Sequence, residues 1–244
     1  MRVHVSRPTG DCPGHPTTTL VIDGGLAIDA GSLGWFAPPA DQARVRHVLL
    51  THAHMDHVAG LPMFIDNVYQ LGPEPPLVLG LPATLAALRT HVFNDTLMPD
   101  FVELGRRMPP FFHTRALAPD AAVALGRYAV TPLAVDHTVP TVAYAIDDGT
   151  AVVAVVTDTA PVPAVIDRLA AWPRLAGVYL EASFPARLAD LAALTKHLTT
   201  ADFLDAAARL PVPVHPIHVK PRHSGEVLAE LRAAGRPNVV LDGL

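Results

Sequence analysis

Aliphatic and β-branched runs are punctuated by turn residues from the start of the chain. Thr18–Ile22 and Leu26–Ala30 flank Asp23-Gly24-Gly25, which predicts a hairpin. After a loop holding Pro38 and Pro39, Val45–Thr51 reads as a buried strand. A histidine cluster follows, and the apolar stretch Val58–Ile65 predicts a helix. Leu77–Leu81 suits a further strand, and Pro82–His91 a helix with proline in its first turn, where a missing N–H leaves no bond unmade. Phe93–Pro119 is broken by Pro99, Pro109 and Pro110 and predicts an irregular segment.

The second half returns to strands. Tyr128–Val135, Val142–Ile146 and Ala151–Thr157, the last two joined through Asp147-Asp148-Gly149, predict an antiparallel run. Helices and strands then alternate: helix Pro163–Ala171, strand Gly177–Glu181, helix Thr200–Leu210 with Thr200 as N-cap, and strand Val214–Val219. Helix Ser224–Ala234, stopped by Gly235, and strand Val239–Leu241 complete the pattern. No repeat or linker divides it, so one domain over 1–244 is expected, with a loop-rich insert around 66–127.

Composition narrows the function classes. With 244 residues, 50% hydrophobic, the chain can bury a core without disulfides, and its single cysteine, Cys12, has no internal partner. A net charge of −5, with Lys196 and Lys220 the two lysines, argues against a nucleic-acid clamp. Met1–Ser6 lacks a long apolar run, and stretches such as Ala151–Val156 are far too short for a membrane span, so a cytoplasmic protein without membrane attachment is expected. Thirteen histidines direct the search to metal sites.

The densest chemistry lies in Thr51-His52-Ala53-His54-Met55-Asp56-His57-Val58-Ala59-Gly60. In extended chain, residues two apart point the same way, so His52 and His54 can converge on one ion. Asp56 and His57, where the chain turns into a helix, can face a second. Cys12 is distant in sequence, leaving a nitrogen and oxygen donor set for which zinc is the default and manganese or iron also suit.

This His-x-His-x-Asp-His segment resembles the signature of the metallo-β-lactamase superfamily of metal-dependent hydrolases. The resemblance implies an α/β (α+β) fold, a four-layer αββα sandwich, with two divalent ions. It assigns His52, His54 and His137 to one ion, Asp56, His57 and His218 to the other, and Asp158 to both. Asp29, in Asp29-Ala30-Gly31, would hold the metal loop by hydrogen bonds without ligating.

Further segments resemble class II cyclic-nucleotide phosphodiesterases: Leu180–Pro185, Lys196–Thr199, Ile217–Pro221, and the stretch from Gly80 through Asn94 to Phe101. Thr200 stands where that pattern leads one to expect proline. The likeness implies hydrolysis of a 3′,5′-cyclic nucleotide, cyclic AMP or GMP, to the 5′-monophosphate. His197, oriented by Glu181, would be the acid for the leaving oxygen, and Asp56 would belong to the catalytic group. Lys220 and Asn94 are candidate substrate contacts, and Met63, Phe64, Phe111 and Phe112 could line a base pocket, although apolar residues beside proline-rich loops are more often ordinary packing. A homodimer is left open.

Two other readings stand beside this one. The Glu181 and His197 segments are also similar to the tRNA 3′-processing endonucleases (the tRNase Z branch). Between 66 and 127, however, five arginines face six acidic residues, a poor balance for a polyanion. The other is a metal- or nucleotide-binding sensor without turnover.

Overall fold

The computed structural model describes residues 1–6 and 14–241, and Cys12 lies outside them. The described residues form two six-stranded sheets with helices. Where one domain is expected from sequence, contacts cluster into two compact units: residues 1–6 with 17–118, and residues 14–16 with 119–241.

The first unit holds strands β1 (Val3–Val5), β2 (Leu20–Ile22), β3 (Leu26–Ile28), β4 (His47–Leu49), β5 (Leu77–Gly80) and β6 (His113–Ala116), hydrogen-bonded in that order. Asp23 (φ 48°) and Gly24 (φ 72°) take the left-handed conformation that turns β2 into β3. The first three strands are antiparallel and β3 to β6 run parallel. The helices are α1 (Pro39–Gln42), α2 (Met55–Val58), α3 (Leu61–Val68), α4 (Pro82–His91) and α5 (Phe101–Leu104). Leu61, Phe64, Ile65 and Val68, at the spacing of one helical face, carry α3 into the core with Val48, Leu50 and Val78.

The second unit holds β7 (Val123–Leu125), β8 (Tyr128–Val135), β9 (Thr141–Asp147), β10 (Val152–Val156), β11 (Leu175–Glu181) and β12 (Val214–Ile217). Strands β7 to β10 are antiparallel and β10 to β12 parallel. Helices α6 (Pro163–Ala170), α7 (Ala189–Thr195), α8 (Thr200–Arg209) and α9 (Ser224–Ala234) complete the unit. Ile166, Phe203 and Val227, from α6, α8 and α9, share a core with Ala154, Val178 and Leu180. Among the described residues no helix is long and apolar enough to cross a membrane.

Several elements differ from expectation. The predicted helix Val58–Ile65 is split into α2 and α3 at Ala59 and Gly60. Within 66–127, β5 and α4 fall where a strand and a helix are expected, and β6, which pairs with β5, is a strand inside the segment expected to be irregular. Every residue of β6 is exposed, so it shows no alternation to read. The N-cap of α8 is Thr199, in a capping box with Asp202, and Val239 makes one bridge to Val214 where a strand was expected. Helix α7 escapes the pattern because it buries Ala192 while Leu191 and Leu194 face solvent.

The segments before β2 and after β3 clamp the histidine loop through backbone. Thr18 N–H donates to Asp56 O (2.8 Å), Ala30 N–H to His57 O (2.7 Å), and Gly60 N–H to Ala30 O (2.9 Å). The approach is so close that a Cβ on Gly31 would lie 2.0 Å from Asp56 O. Gly31→Ala should therefore cost about 1–3 kcal/mol, lowering the melting temperature by several degrees. Gly225→Ala, at a helical position with nothing within 4 Å of the added carbon, should be neutral or slightly stabilising. Thermal melts of both variants check this pair, and equal melting points would contradict the clamp.

Candidate metal centre

In the first unit, Asp29 follows β3, and Thr51-His52 come just after β4, the strand paired with it. Asp29 is fully buried and takes a left-handed backbone (φ 57°), with its carboxylate facing the segment after β4. That carboxylate accepts from Thr51 N–H (2.8 Å), from the Thr51 hydroxyl (2.8 Å to Oδ2) and from His57 Nδ1 (2.7 Å). Thr51 Oγ1 in turn lies 3.0 Å from His52 Nδ1. The rings of His52 and His54 are 4.5 Å apart at their centroids, those of His52 and His57 4.2 Å. Asp56 Oδ2 is 3.9 Å from His57 Nε2.

In the second unit, Asp158 follows β10, Glu181 ends β11 and His218 follows β12. Three imidazole Nε2 atoms surround the buried Asp158 carboxylate, those of His218 at 3.3 Å, His137 at 3.7 Å and His197 at 3.9 Å. Glu181, also fully buried, accepts from Thr159 N–H (2.5 Å), from the Ser183 hydroxyl and from His197 Nδ1 (3.0 Å). His137 Nδ1 meets Lys196 O at 3.0 Å, and Lys196 takes a left-handed backbone (φ 54°). His218 does the same (φ 55°), and Lys220 Nζ stands 3.3 Å from its Nε2.

Hydrogen-bond chemistry fixes the tautomers. A carboxylate or carbonyl oxygen can only accept, so Nδ1 of His57, His137 and His197 carries the proton. The Thr51 hydroxyl spends its proton on Asp29, so it accepts from His52 Nδ1. The rings of His52, His57 and His137 then present a lone pair at Nε2, the form a histidine takes as a metal ligand. Imidazoles beside buried carboxylate oxygen make a donor set that fits divalent ions, and in the second unit ligand atoms of Asp158, His197 and His218 lie within 4.8 Å of one another. Burial opposes charge on His197, but the hydrogen bond and charge of Glu181, with the charge of Asp158, outweigh burial and the nearby Lys220, so its pKa lies above the ordinary value.

The other predicted residues sort by contact. Asn94 has its side chain engaged in its own turn, accepting from Thr96 and Leu97 N–H and donating to Thr90 O. Phe64, Phe111 and Phe112 belong to the apolar core of the first unit, with Phe111 stacking on Phe101 and Tyr69. Met63 is 40% exposed. Thr51 and Lys196, which hold the rings of His52 and His137, received no such role from the sequence. Hydroxyl and carbonyl partners carry no spacing signature.

Residues 18–236 match the family described as "Beta-lactamase superfamily domain". A curated relative, the Saccharomyces cerevisiae "3′,5′-cyclic-nucleotide phosphodiesterase 1", is 40% identical over 61 residues, 24% of this chain and 16% of that protein. Ribonuclease J of Thermus thermophilus is 31% identical over 131 residues, 50% of this chain and 21% of that protein. The chain thus spans about a fifth or less of these relatives' lengths. Among solved structures, unliganded yeast PDE1 superposes with a TM-score of 0.76 at 17% identity, over 98% of this chain and 95% of that one, which shows the shared fold.

Removing the relay hydroxyl while keeping its shape tests the ring-setting chemistry. Thr51→Val should leave Asp29 and His52 Nδ1 each one bond short, lowering stability by about 1–3 kcal/mol and metal affinity about 10- to 100-fold. Chelator competition and thermal melting measure the two effects, and wild-type metal affinity in this variant would contradict the assignment.

Proposed function

The chain belongs to the β-lactamase superfamily, and from that premise we propose that it is a metal-dependent phosphodiesterase acting on 3′,5′-cyclic nucleotides. The observation that carries the reading is the buried Glu181–His197 pair, with His197 Nε2 beside Asp158. A thiolate or an aryl oxide leaves without much help, whereas a ribose alkoxide needs a proton. His197 is built to give one, since Glu181 orients the ring and favours its charged form. The curated name on the 40%-identical stretch agrees with this substrate class.

In this reading His52, His54, Asp56, His57, His137, Asp158 and His218 would hold two divalent ions, zinc by default with manganese or iron also suited. Bound there, the ions would activate water at neutral pH and offset charge on the phosphoryl oxygens. Asp29 and Thr51 keep the rings of His52 and His57 in place. Lys196 O does so for His137. Lys220 brings a cation beside His218, where a phosphate oxygen could meet it.

Cleavage of RNA is the second reading, supported by the ribonuclease J match. It uses the same acid and the same class of bond. The net charge of −5 favours the small substrate, because a polyanion is held largely by cationic contacts. A turnover assay against cyclic AMP, cyclic GMP and a structured RNA separates them.

Elemental analysis should find about two ions per chain, and His54→Ala should lose metal and activity together. His197→Ala should retain the ions yet lower cyclic-nucleotide turnover about 10²- to 10⁴-fold, with little effect on bis(p-nitrophenyl) phosphate, whose leaving group needs no acid. Equal losses on both substrates would remove His197 from the acid role.

A further inference from the structure

The carboxylate that orients His197 has a second dependant. Glu181 Oε2 also receives the Ser183 hydroxyl, and Ser183 Oγ lies 3.0 Å from His218 Nδ1 and 3.1 Å from His218 O. Ser183 is fully buried. Parallel pairing of β11 with β12 sets Glu181 against Ile217, which brings the residues just beyond, Ser183 and His218, abreast.

A hydroxyl has one proton to give. Directed at His218, it would leave Ser183 Oγ and Glu181 Oε2 facing each other lone pair to lone pair at close range. Directed at Glu181, it makes a charge-assisted bond and turns lone pairs toward His218, so that ring must donate from Nδ1. The first unit shows the same construction: one buried carboxylate receives a backbone amide, a hydroxyl and an imidazole, and the hydroxyl meets a second imidazole. In the second unit those donors are Thr159, Ser183 and His197, and the second ring is His218.

We propose that Ser183 is a positioning residue that relays Glu181 to His218, fixing Nε2 as the nitrogen His218 offers to a metal ion. Glu181 then governs metal holding and proton donation at once. The inference rests on His218 as a ligand, as read above, and not on the identity of the substrate.

The test uses the full chain and three variants, Ser183→Ala, Ser183→Thr and Ser183→Cys. Long-range ¹H–¹⁵N imidazole spectra of the metal-free protein report the His218 tautomer, and chelator competition reports zinc affinity. Wild type should show His218 protonated at Nδ1. Ser183→Ala should give a mixture of tautomers and weaken one of two zinc sites about 10- to 100-fold, and Ser183→Thr should restore both readouts. Should the alanine variant fail to fold, Ser183→Cys, with a much weaker donor and acceptor, carries the same expectation. An unchanged tautomer with unchanged affinity, or a threonine variant as impaired as the alanine one, would overturn the relay. Two zinc ions retained by His218→Ala would instead overturn the ligand assignment beneath it.

Discussion

A carboxylate sealed away from water must be given hydrogen-bond donors by the protein, and the candidate site is organised by that requirement. Asp29 and Glu181 are both wholly inaccessible, and each is satisfied by three donors of the same three kinds. Strand ends, turns and the histidine-rich loop are placed where those donors are needed. Because imidazoles serve as donors, satisfying the carboxylates also orients the rings.

Orientation is therefore settled by folding rather than by ion binding. His57 and His197 are held by carboxylates, His137 by the Lys196 carbonyl, and His52 through a hydroxyl. Rings held at one nitrogen lose little further freedom on ligation, which is what preorganisation means energetically. Asp158 has the ring nitrogens of three histidines at 3.3 to 3.9 Å. A divalent charge at that place would hold it in the ionised form.

Much of this was legible in the chain. The His-x-His-x-Asp-His cluster declares itself because donor spacing within ten residues is a local property. β8 carries the bounds read from its pattern, Tyr128–Val135. Asp29 drew a supporting role only through the resemblance of Asp29-Ala30-Gly31 to the superfamily pattern, since the same three residues also read as a plain turn. Ser183 could not, since its meaning depends on the register of β11 against β12, a pairing between segments more than thirty residues apart. β6 and α7 were hidden for a different reason: one exposes all of its residues and the other turns two leucines outward, so neither shows the periodicity that burial imposes.

Asp29, Lys196 and His218 share a left-handed backbone, a conformation that costs a residue with a side chain about 1–2 kcal/mol. The three are unequal in what they return for that strain. Lys196 acts on His137 through its carbonyl, which glycine would present without strain, and its half-exposed ion pair with Asp136 contributes little. Asp29 and His218 act through the side chain itself. Selection for thermal stability alone would thus meet two kinds of strained position in this fold. At 196 it can relax the backbone and leave the chemistry in place, while at 29 and 218 robustness and function draw in opposite directions.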